Sequence, residues 1–460
     1  MKLGIVLKLA VALSLILTAW AQGGNPEPLT LQEAVARAEK FPSVQASAEQ
    51  VNAAAAGIRL ARTNYLPSVN ALGQINRATR NNVFGLLLPQ TVIPNISGPV
   101  LGTDNGRNVW GSAAGVLVSW EPFDFGRRHA LVQSAEATQQ RAQRSVQRVR
   151  FDLETTTAAA FLTLLAGEQT VRAAQAAVDR AQVLVRSVRA GVEAKLRPGA
   201  DLSRADTERD AALTQRLQAE QSVAVAKTSL AEFTGTDAKD LTVAPGRLLD
   251  ALPDAPNTTA DLSRHPAAQE QAGIVEESKA RQAVLQRSYR PSFALQASGY
   301  ARGTGALLNG STLGGWNGLA PNYFNAAAGF TVNFPLLALP SLRAQEAQEA
   351  AVGRSAAATY RQVLADLEAQ SQAAHATLEQ ARRIAAETPK EVADARTGFA
   401  QANAQYRAGL ATIVAVAEAQ RLLAQAEIDD SLARLAVWRA WLQMQTAQGD
   451  ISSFLAAAGR

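Results

Sequence analysis

Cysteine is absent from all 460 residues, and its absence closes several routes at once. No disulfide can staple the chain, no thiolate can hold a metal, and no lipid can be joined to an N-terminal cysteine. The three histidines, His129, His265 and His375, lie too far apart for metal-ligand spacing. Aromatic residues make up only 5% of the chain, which suits packed helices better than a compact aromatic core. No stretch after the N-terminal leader approaches 18 consecutive apolar residues, so a transmembrane helix is not expected there. The formal charge of +5 falls nearer +3 once Lys2 and Lys8 of the leader are set aside, and the remaining charges of both signs are interspersed. That pattern marks solvated helix faces and makes no case for nucleic acid. The glycine-rich run GALLNGSTLGG (Gly305–Gly315) lacks the lysine and helix that a phosphate loop needs. Carboxylates and arginines, as in RADTERD (Arg204–Asp210), fall at spacings that suit i,i+4 pairs on an exposed helix. No nucleophile–base arrangement appears, so neither an enzyme nor a cofactor is expected.

What is present begins with a leader. Lys2 and Lys8 precede an apolar core, Leu9 to Thr18, and Ala19-Trp20-Ala21 forms a small-residue cleavage site, giving residues 1–21 the form of a secretory signal. The rest reads as two copies of one plan. RTNYLPSVNALGQINRA (Arg62–Ala78) and RSYRPSFALQASGYARG (Arg287–Gly303) both leave a helix at a Tyr-x-Pro stop and turn into alternation, with Tyr289 and Pro291 lying 224 positions after Tyr65 and Pro67. Pro42 and Pro266 keep the same offset. The spacing predicts a helix over 30–64 and 262–289, a strand over 68–78 and 292–302, and an irregular loop over 79–108 and 303–322. A second strand (SAAGVLVSW, NAAAGFTVNF) follows, then two long helices: about 123–197 and 200–233 in the first copy, 341–408 and 411–448 in the second, with a kink at Pro389. The repeats are placed at 22–235 and 262–460, with 236–261 as the linker. A helix of 65 residues is about 100 Å long, more than a globular core needs.

Each strand of about ten residues spans roughly 33 Å of chain. Tilted, that length fits the apolar band of a membrane β-barrel, whose strands alternate apolar-out and polar-in. The other reading is a pair of small hairpins packed on helices. Trp110, Trp120, Tyr300, Tyr323 and Phe334 lie near strand ends, where an aromatic girdle belongs. Four strands cannot close a membrane barrel and open edges are not tolerated in lipid, so a membrane role requires several chains to share eight or twelve strands.

In this order, LTLQEAVARA (Leu29–Ala38), the two Tyr-x-Pro stops, WEPFDFGRR (Trp120–Arg128) and the hairpin tips RPGADLSRA (Arg197–Ala205) and RAGLATIVAVAEA (Arg407–Ala419) resemble the TolC family of outer-membrane efflux channels. The resemblance covers the chain after the leader. It implies a mainly α fold with a membrane β-barrel portion: long antiparallel helical hairpins form a periplasmic α-barrel, and four strands per chain enter a twelve-stranded barrel shared by a homotrimer. It implies an outer-membrane protein with a periplasmic extension, not a lipoprotein, in contact with outer-membrane lipid. Its partners would be a periplasmic adaptor and an inner-membrane pump, and its role an exit duct for small molecules or proteins. Tyr65, Pro67, Tyr289 and Pro291, with Pro122 and Pro335, would mark the junction between barrel and tunnel. The tips would face the inner membrane, with Gly409 and Leu410 in one turn and Glu418 as a gate carboxylate repeated three times around the constriction. Asp201 and Arg204 are the first-copy equivalents of Ala415 and Glu418, and an Arg204–Glu418 contact between hairpins is one expectation. Ala415 and Ala411 depart from the family's acidic and basic tip positions, which thins the charge network. An ordinary solvated helix charge is the competing reading of Glu418. A periplasmic coiled-coil scaffold without a pore is the competing reading of the whole chain.

Overall fold

Thr30 opens the first helix as its sequence directs. Its hydroxyl accepts from the Glu33 amide at 3.2 Å, and the Glu33 carboxylate accepts from the Thr30 amide at 3.0 Å, a reciprocal capping box. The computed structural model describes residues 28–79, 108–249, 252–253, 260–307 and 311–459. The expected leader at 1–21, nearly all of the 79–108 loop and part of the 236–261 linker lie outside these residues. Where one helix is expected over 30–64, two form: α1 (Leu31–Ala38) and α2 (Pro42–Thr63). Pro42 biases Phe41 away from helical geometry and takes the first helical position itself, where its missing N–H costs nothing. The second half repeats this at Pro266, with a single 3₁₀ turn (Leu262–Arg264) before the helix.

After α2 come β1 (Ser68–Thr79), β2 (Asn108–Phe123), α3 (Arg127–Glu193) and α4 (Gly199–Thr234). The second half follows with α5 (Pro266–Arg287), β3 (Ser292–Thr304), β4 (Tyr323–Asn333), α6 (Leu339–Arg407), α7 (Ile413–Gln448) and the short α8 (Ser452–Ala458). Corresponding helices are nearly equal in length: α2 and α5 have 22 residues each, α3 and α6 have 67 and 69, and α4 and α7 have 36 each. β2 is longer than its sequence pattern suggests, because Asn108–Gly111 also joins the ladder. Nor does Pro389 interrupt α6, which stays helical on both sides of it. One missing backbone bond is a small fraction of a 69-residue ladder.

The chain divides into two compact units: Met1–Ala48 with Arg144–Glu270 and Arg361–Arg460, and Glu49–Gln143 with Gln271–Tyr360. The core of the first unit is a block of large side chains on otherwise alanine-rich helices. Phe161, Leu162, Leu164 and Leu165 of α3 meet Leu230 of α4, Trp438, Trp441 and Met444 of α7, and Phe454 of α8. Trp438, Trp441 and Phe454 form a triangle of rings with centroids 5.6 to 6.1 Å apart, in the tilted and edge-on arrangements that aromatic quadrupoles favour. Leu29 ties the chain start to the linker through bonds to Thr242 and Ala244 at 2.8 and 2.9 Å.

Buried His265 belongs to the same unit. Its Nδ1 accepts from the Ala267 amide at 3.1 Å while Nε2 faces the Thr446 carbonyl at 3.0 Å, which fixes the neutral tautomer with its proton on Nε2. Burial holds the pKa of this imidazole below the usual histidine value, against the opposing pull of the Thr446 carbonyl. The second unit holds the sheet, with order β1-β2-β3-β4 and every neighbouring pair antiparallel.

Two helices of the first unit end on a left-handed glycine, but only one is crowded. Gly235 has φ +67° with open space around its Cα, whereas a Cβ at Gly449, φ +84°, would lie 2.9 Å from His265 Cα. Gly235→Ala should therefore cost only the left-handed backbone penalty, about 1–2 kcal/mol. Gly449→Ala should cost visibly more, giving the larger fall in unfolding midpoint when helical circular dichroism is followed in parallel melts of the two variants.

Candidate functional site

Residues opposite one another across an antiparallel ladder share a face, so the register assigns every strand residue to one of two surfaces. On one surface lie Val69, Ala71, Gly73 and Ile75 of β1, then Ala114, Val116, Val118 and Trp120 of β2. Phe293, Leu295, Ala297, Gly299 and Ala301 of β3 and Phe324, Ala326, Ala328, Phe330 and Val332 of β4 complete it. On the other lie Ser68, Asn70 and Gln74, then Ser119, then Ser292, Gln296, Ser298 and Arg302, then Asn325, Thr331 and Asn333. Exposure is opposite to that of a water-soluble sheet. Phe324 is 84% exposed, and Val69, Ile75, Val116, Leu295, Phe330 and Val332 are exposed as well, while Gln296 on the polar face is only 3% exposed. Tyr300 is buried in mid-strand on the polar side against Ala113 and Leu72, so it does not belong to a girdle. Trp110 does sit at a strand end, stacked on Trp316 at 6.1 Å with the Arg77 guanidinium 5.3 Å from its centroid.

At the opposite end of the strands, Pro67 and Pro291 immediately precede β1 and β3. There their fixed φ starts an extended run without removing a ladder bond. Pro122 sits within β2 at a bulge, because Trp120 pairs with Leu295 and Phe123 with Phe293, so that Glu121 and Pro122 together oppose Ala294. Pro335 follows β4 and opens a 3₁₀ turn (Leu336–Ala338). The two tyrosines are held differently. The Tyr65 carbonyl accepts from Trp120 Nε1 at 3.1 Å and its ring lies 5.0 Å from the Arg128 guanidinium. The Tyr289 hydroxyl donates to Glu346 at 2.8 Å.

Sequence reasoning missed the pair that turns β2 into α3. The Asp124 carboxylate accepts from the Gly126 amide at 3.1 Å, the Arg128 amide at 2.7 Å and Arg128 Nε at 2.9 Å, and both side chains are buried. The turn passes through left-handed Phe125 (φ +52°) and Gly126 (φ +85°). Its only sequence signal is an i,i+4 Asp–Arg spacing, identical to that of many surface pairs. Burial alone would raise the pKa of Asp124, but the bonds from Arg128 and Gly126 outweigh it and hold the carboxyl below the usual range.

The two hairpin tips lie together in the first unit. Leu184, Val185 and Val188 of α3, Ala205 of α4, Tyr406 of α6, and Ile413 and Val416 of α7 form one buried cluster. Both turns close through a left-handed residue, Lys195 (φ +60°) and Gly409 (φ +78°), and matching bonds run from Leu196 to the Gly191 carbonyl and from Leu410 to the Gln405 carbonyl, each 2.9 Å. The residues carried outward are Leu196 and Leu410, 78% and 81% exposed. Arg197 crosses between hairpins, donating to the Tyr406 carbonyl with its guanidinium 4.3 Å from the Tyr406 ring centre, and the Tyr406 hydroxyl donates to Asp201 at 3.3 Å. Burial first, and Asp201 second, push the Tyr406 phenol up. Glu418 does not pair with Arg204. Its partner is Arg421, one turn along α7, at 2.7 Å, and that bond lowers the pKa of this exposed carboxylate. The i,i+3 neighbour is always within reach, whereas an inter-hairpin contact needs both helices to present the residues to each other.

Against this geometry, known proteins give a consistent answer. The family model described as outer membrane efflux protein matches residues 31–236. That match takes in the first repeat and stops short of the second. Solved structures carry the same fold over most of the chain: CusC (TM-score 0.75, 14% identity, 91% of this chain and 92% of that one) and VceC of Vibrio cholerae (0.70, 17%, 91% and 96%). The CmeC channel of Campylobacter jejuni is similar (0.73, 13%, 94% and 89%). No curated protein sequence matches the chain. The fold is that of the outer-membrane channel-tunnels, mainly helical with a β-barrel portion, and this family and its structural relatives are channel proteins rather than enzymes. Among the described residues, no helix is long and apolar enough to cross a membrane.

The Asp124–Arg128 pair yields a test with a defined sign. Because the folded pKa of Asp124 is depressed, its contribution is fully present above about pH 4, the unfolded carboxylate value, and is lost as pH falls through the lower folded value. Asp124→Ala leaves Arg128 buried without its carboxylate and should cost about 3 kcal/mol at pH 7 in a denaturant titration. Repeated at increasingly acidic pH, the gap between wild type and variant should narrow.

Proposed function

We propose that the protein is the exit duct of a tripartite export system: three copies close a twelve-stranded barrel in the outer membrane, and their long helices enclose a passage through the periplasm. The observation that carries this reading is the inverted sheet, whose large apolar side chains are exposed on one face while Gln296 and Ser298 in the middle of the other are buried. A scaffold in water has no use for such a surface, whereas a barrel wall requires it. Strand count supplies the stoichiometry. β1 and β4 are the edges of a four-stranded sheet, and lipid does not tolerate unpaired edges, so β4 of one copy would pair with β1 of the next until the ring closes. In each repeat, 22–235 and 262–460, one strand pair and one helical hairpin would contribute to the wall. The leader, 1–21, would direct export and be removed.

The tips would form the periplasmic end, where an adaptor joins the duct to an inner-membrane pump. Leu196 and Leu410 give that end an apolar edge suited to a protein partner. Energy would come from the pump. The cargo, small molecules or proteins, would be chosen upstream, since the duct contributes a passage rather than a pocket. Three copies of Glu418 would set a cation-favouring ring at the constriction.

Two measurements test this reading. The mass of the protein extracted from the cell envelope should correspond to three chains and should require detergent; a detergent-free monomer or dimer in the periplasmic fraction would establish the scaffold instead. In planar bilayers, Glu418→Ala should weaken divalent-cation block of the conductance, and unchanged block would remove Glu418 from the gate.

A further inference from the structure

The β3–β4 ladder ends at the pair Ser292 and Asn333, and the chain then runs through Phe334, Pro335, Leu336, Leu337 and Ala338 into Leu339 and Pro340, the first two residues of α6. No charged or polar side chain interrupts these seven residues. The corresponding exit from β2 is built differently. Glu121 and Asp124 are charged, and Phe123 and Phe125 pack within 6.0 and 5.9 Å of the Phe293 ring. After β4 the apolar side chains are turned outward: Phe334 and Leu336 are exposed, and Leu337 is 100% exposed.

Their exposure is held in place by the backbone. The Leu336 amide donates to the Phe334 carbonyl at 2.9 Å, the Ala338 amide to the Pro335 carbonyl at 3.1 Å, and the Ser341 hydroxyl to the Ala338 carbonyl at 2.8 Å. Pro335 and Pro340 fix φ at either end. Local bonds of this kind reduce the number of backbone groups left without a partner when such a loop presents its apolar side chains to a non-aqueous surrounding.

We infer that Phe334–Leu337 forms an apolar collar that inserts among the acyl chains of the periplasmic leaflet of the outer membrane, below the last ladder pair of β4. This rests on the barrel reading proposed above. Lipid, rather than water or a second copy, is indicated by continuity. Counting along β4, Phe334 continues the face of Phe324, Phe330 and Val332, the face that points out of the sheet, not the edge where another strand would pair. Isolated exposed leucines are common on soluble surfaces, but a phenylalanine and two leucines within four residues, contiguous with an apolar sheet face, form a patch. The chain also has no cysteine for lipid attachment, so contact with the leaflet must come from side chains of this kind.

The same absence makes the test clean, because one introduced cysteine is the only labelling site. Spin labels would be placed singly in the full-length protein through Leu337→Cys, through Val69→Cys on the outward sheet face, and through Leu217→Cys on an exposed position of α4. The labelled proteins would be reconstituted in vesicles of phosphatidylethanolamine and phosphatidylglycerol. Relaxation enhancement by oxygen, which concentrates in hydrocarbon, would be compared with that by a water-soluble nickel chelate. The label at 337 should favour oxygen, as at 69, and opposite to 217. A nickel preference at 337 would place the loop in water, and shielding from both reagents would bury it between copies; either result overturns the collar while an oxygen preference at 69 leaves the barrel standing. Loss of oxygen preference at 69 as well would overturn the barrel reading itself.

Discussion

A backbone amide that leaves water must find another partner, and the architecture of this chain follows from that requirement. In the helices each amide is satisfied within its own segment, so alanine-rich sequences with little apolar surface can run for 67 and 69 residues. In the sheet satisfaction is collective: β2 and β3 have neighbours on both sides, and β1 and β4 on one only. A four-stranded sheet with an exposed apolar face is thus incomplete in either solvent. In water the face is unfavourable, and in lipid the edges are. Edge-to-edge association, as in the assembly proposed above, would resolve both.

Much of this was legible in the sequence because the signals are local. Tyr65-x-Pro67 and Tyr289-x-Pro291 mark the helix-to-strand change through proline's fixed φ, and alternation over Val69–Ile75 and Phe330–Phe334 sets the faces through the period of the pleat. What could not be read depends on partners distant in sequence or on competition between equal candidates. Tyr300 resembles a girdle aromatic in sequence, but its position on the polar face follows from the register of β3 with β2. The Asp124–Arg128 spacing does not announce burial, which depends on Asn64 and Tyr65 closing over it. Glu418 had two arginines to choose from, and proximity on its own helix decided for Arg421. The break at Phe41 was written in the sequence as Pro42, yet the strong helical periodicity around it made one long helix the simpler reading.

The hairpin tips show how a helix end is held when charge is scarce. Ala411 and Ala415 leave α7 without ionic groups in its first turn, and the contacts that remain are mostly apolar packing around Tyr406 with one arginine spanning the gap. A guanidinium stacked on a ring and donating to that residue's carbonyl is fixed in two directions, so it orients one hairpin against the other in a way that a single exposed ion pair does not. Salt would screen such a contact less than a rim of free charges, because much of its hold is geometric.

Corresponding places in the two halves reach the same backbone geometry by different chemistry. The hairpin turns share a left-handed residue, but Lys195 accepts the steric penalty that Gly409 avoids. The tyrosines before β1 and β3 are fixed by a cation over the ring in one case and a carboxylate on the hydroxyl in the other. The exit from β2 is locked by a buried ion pair, and the exit from β4 by prolines and a 3₁₀ turn that leaves leucines in the open. Helix lengths, element order and turn positions agree between the halves; side chains are constrained only by what each place must touch. Where two equivalent turns are built from charges in one half and bare leucines in the other, the charged turn is satisfied within the chain, while the exposed leucines are accounted for by the lipid contact inferred above.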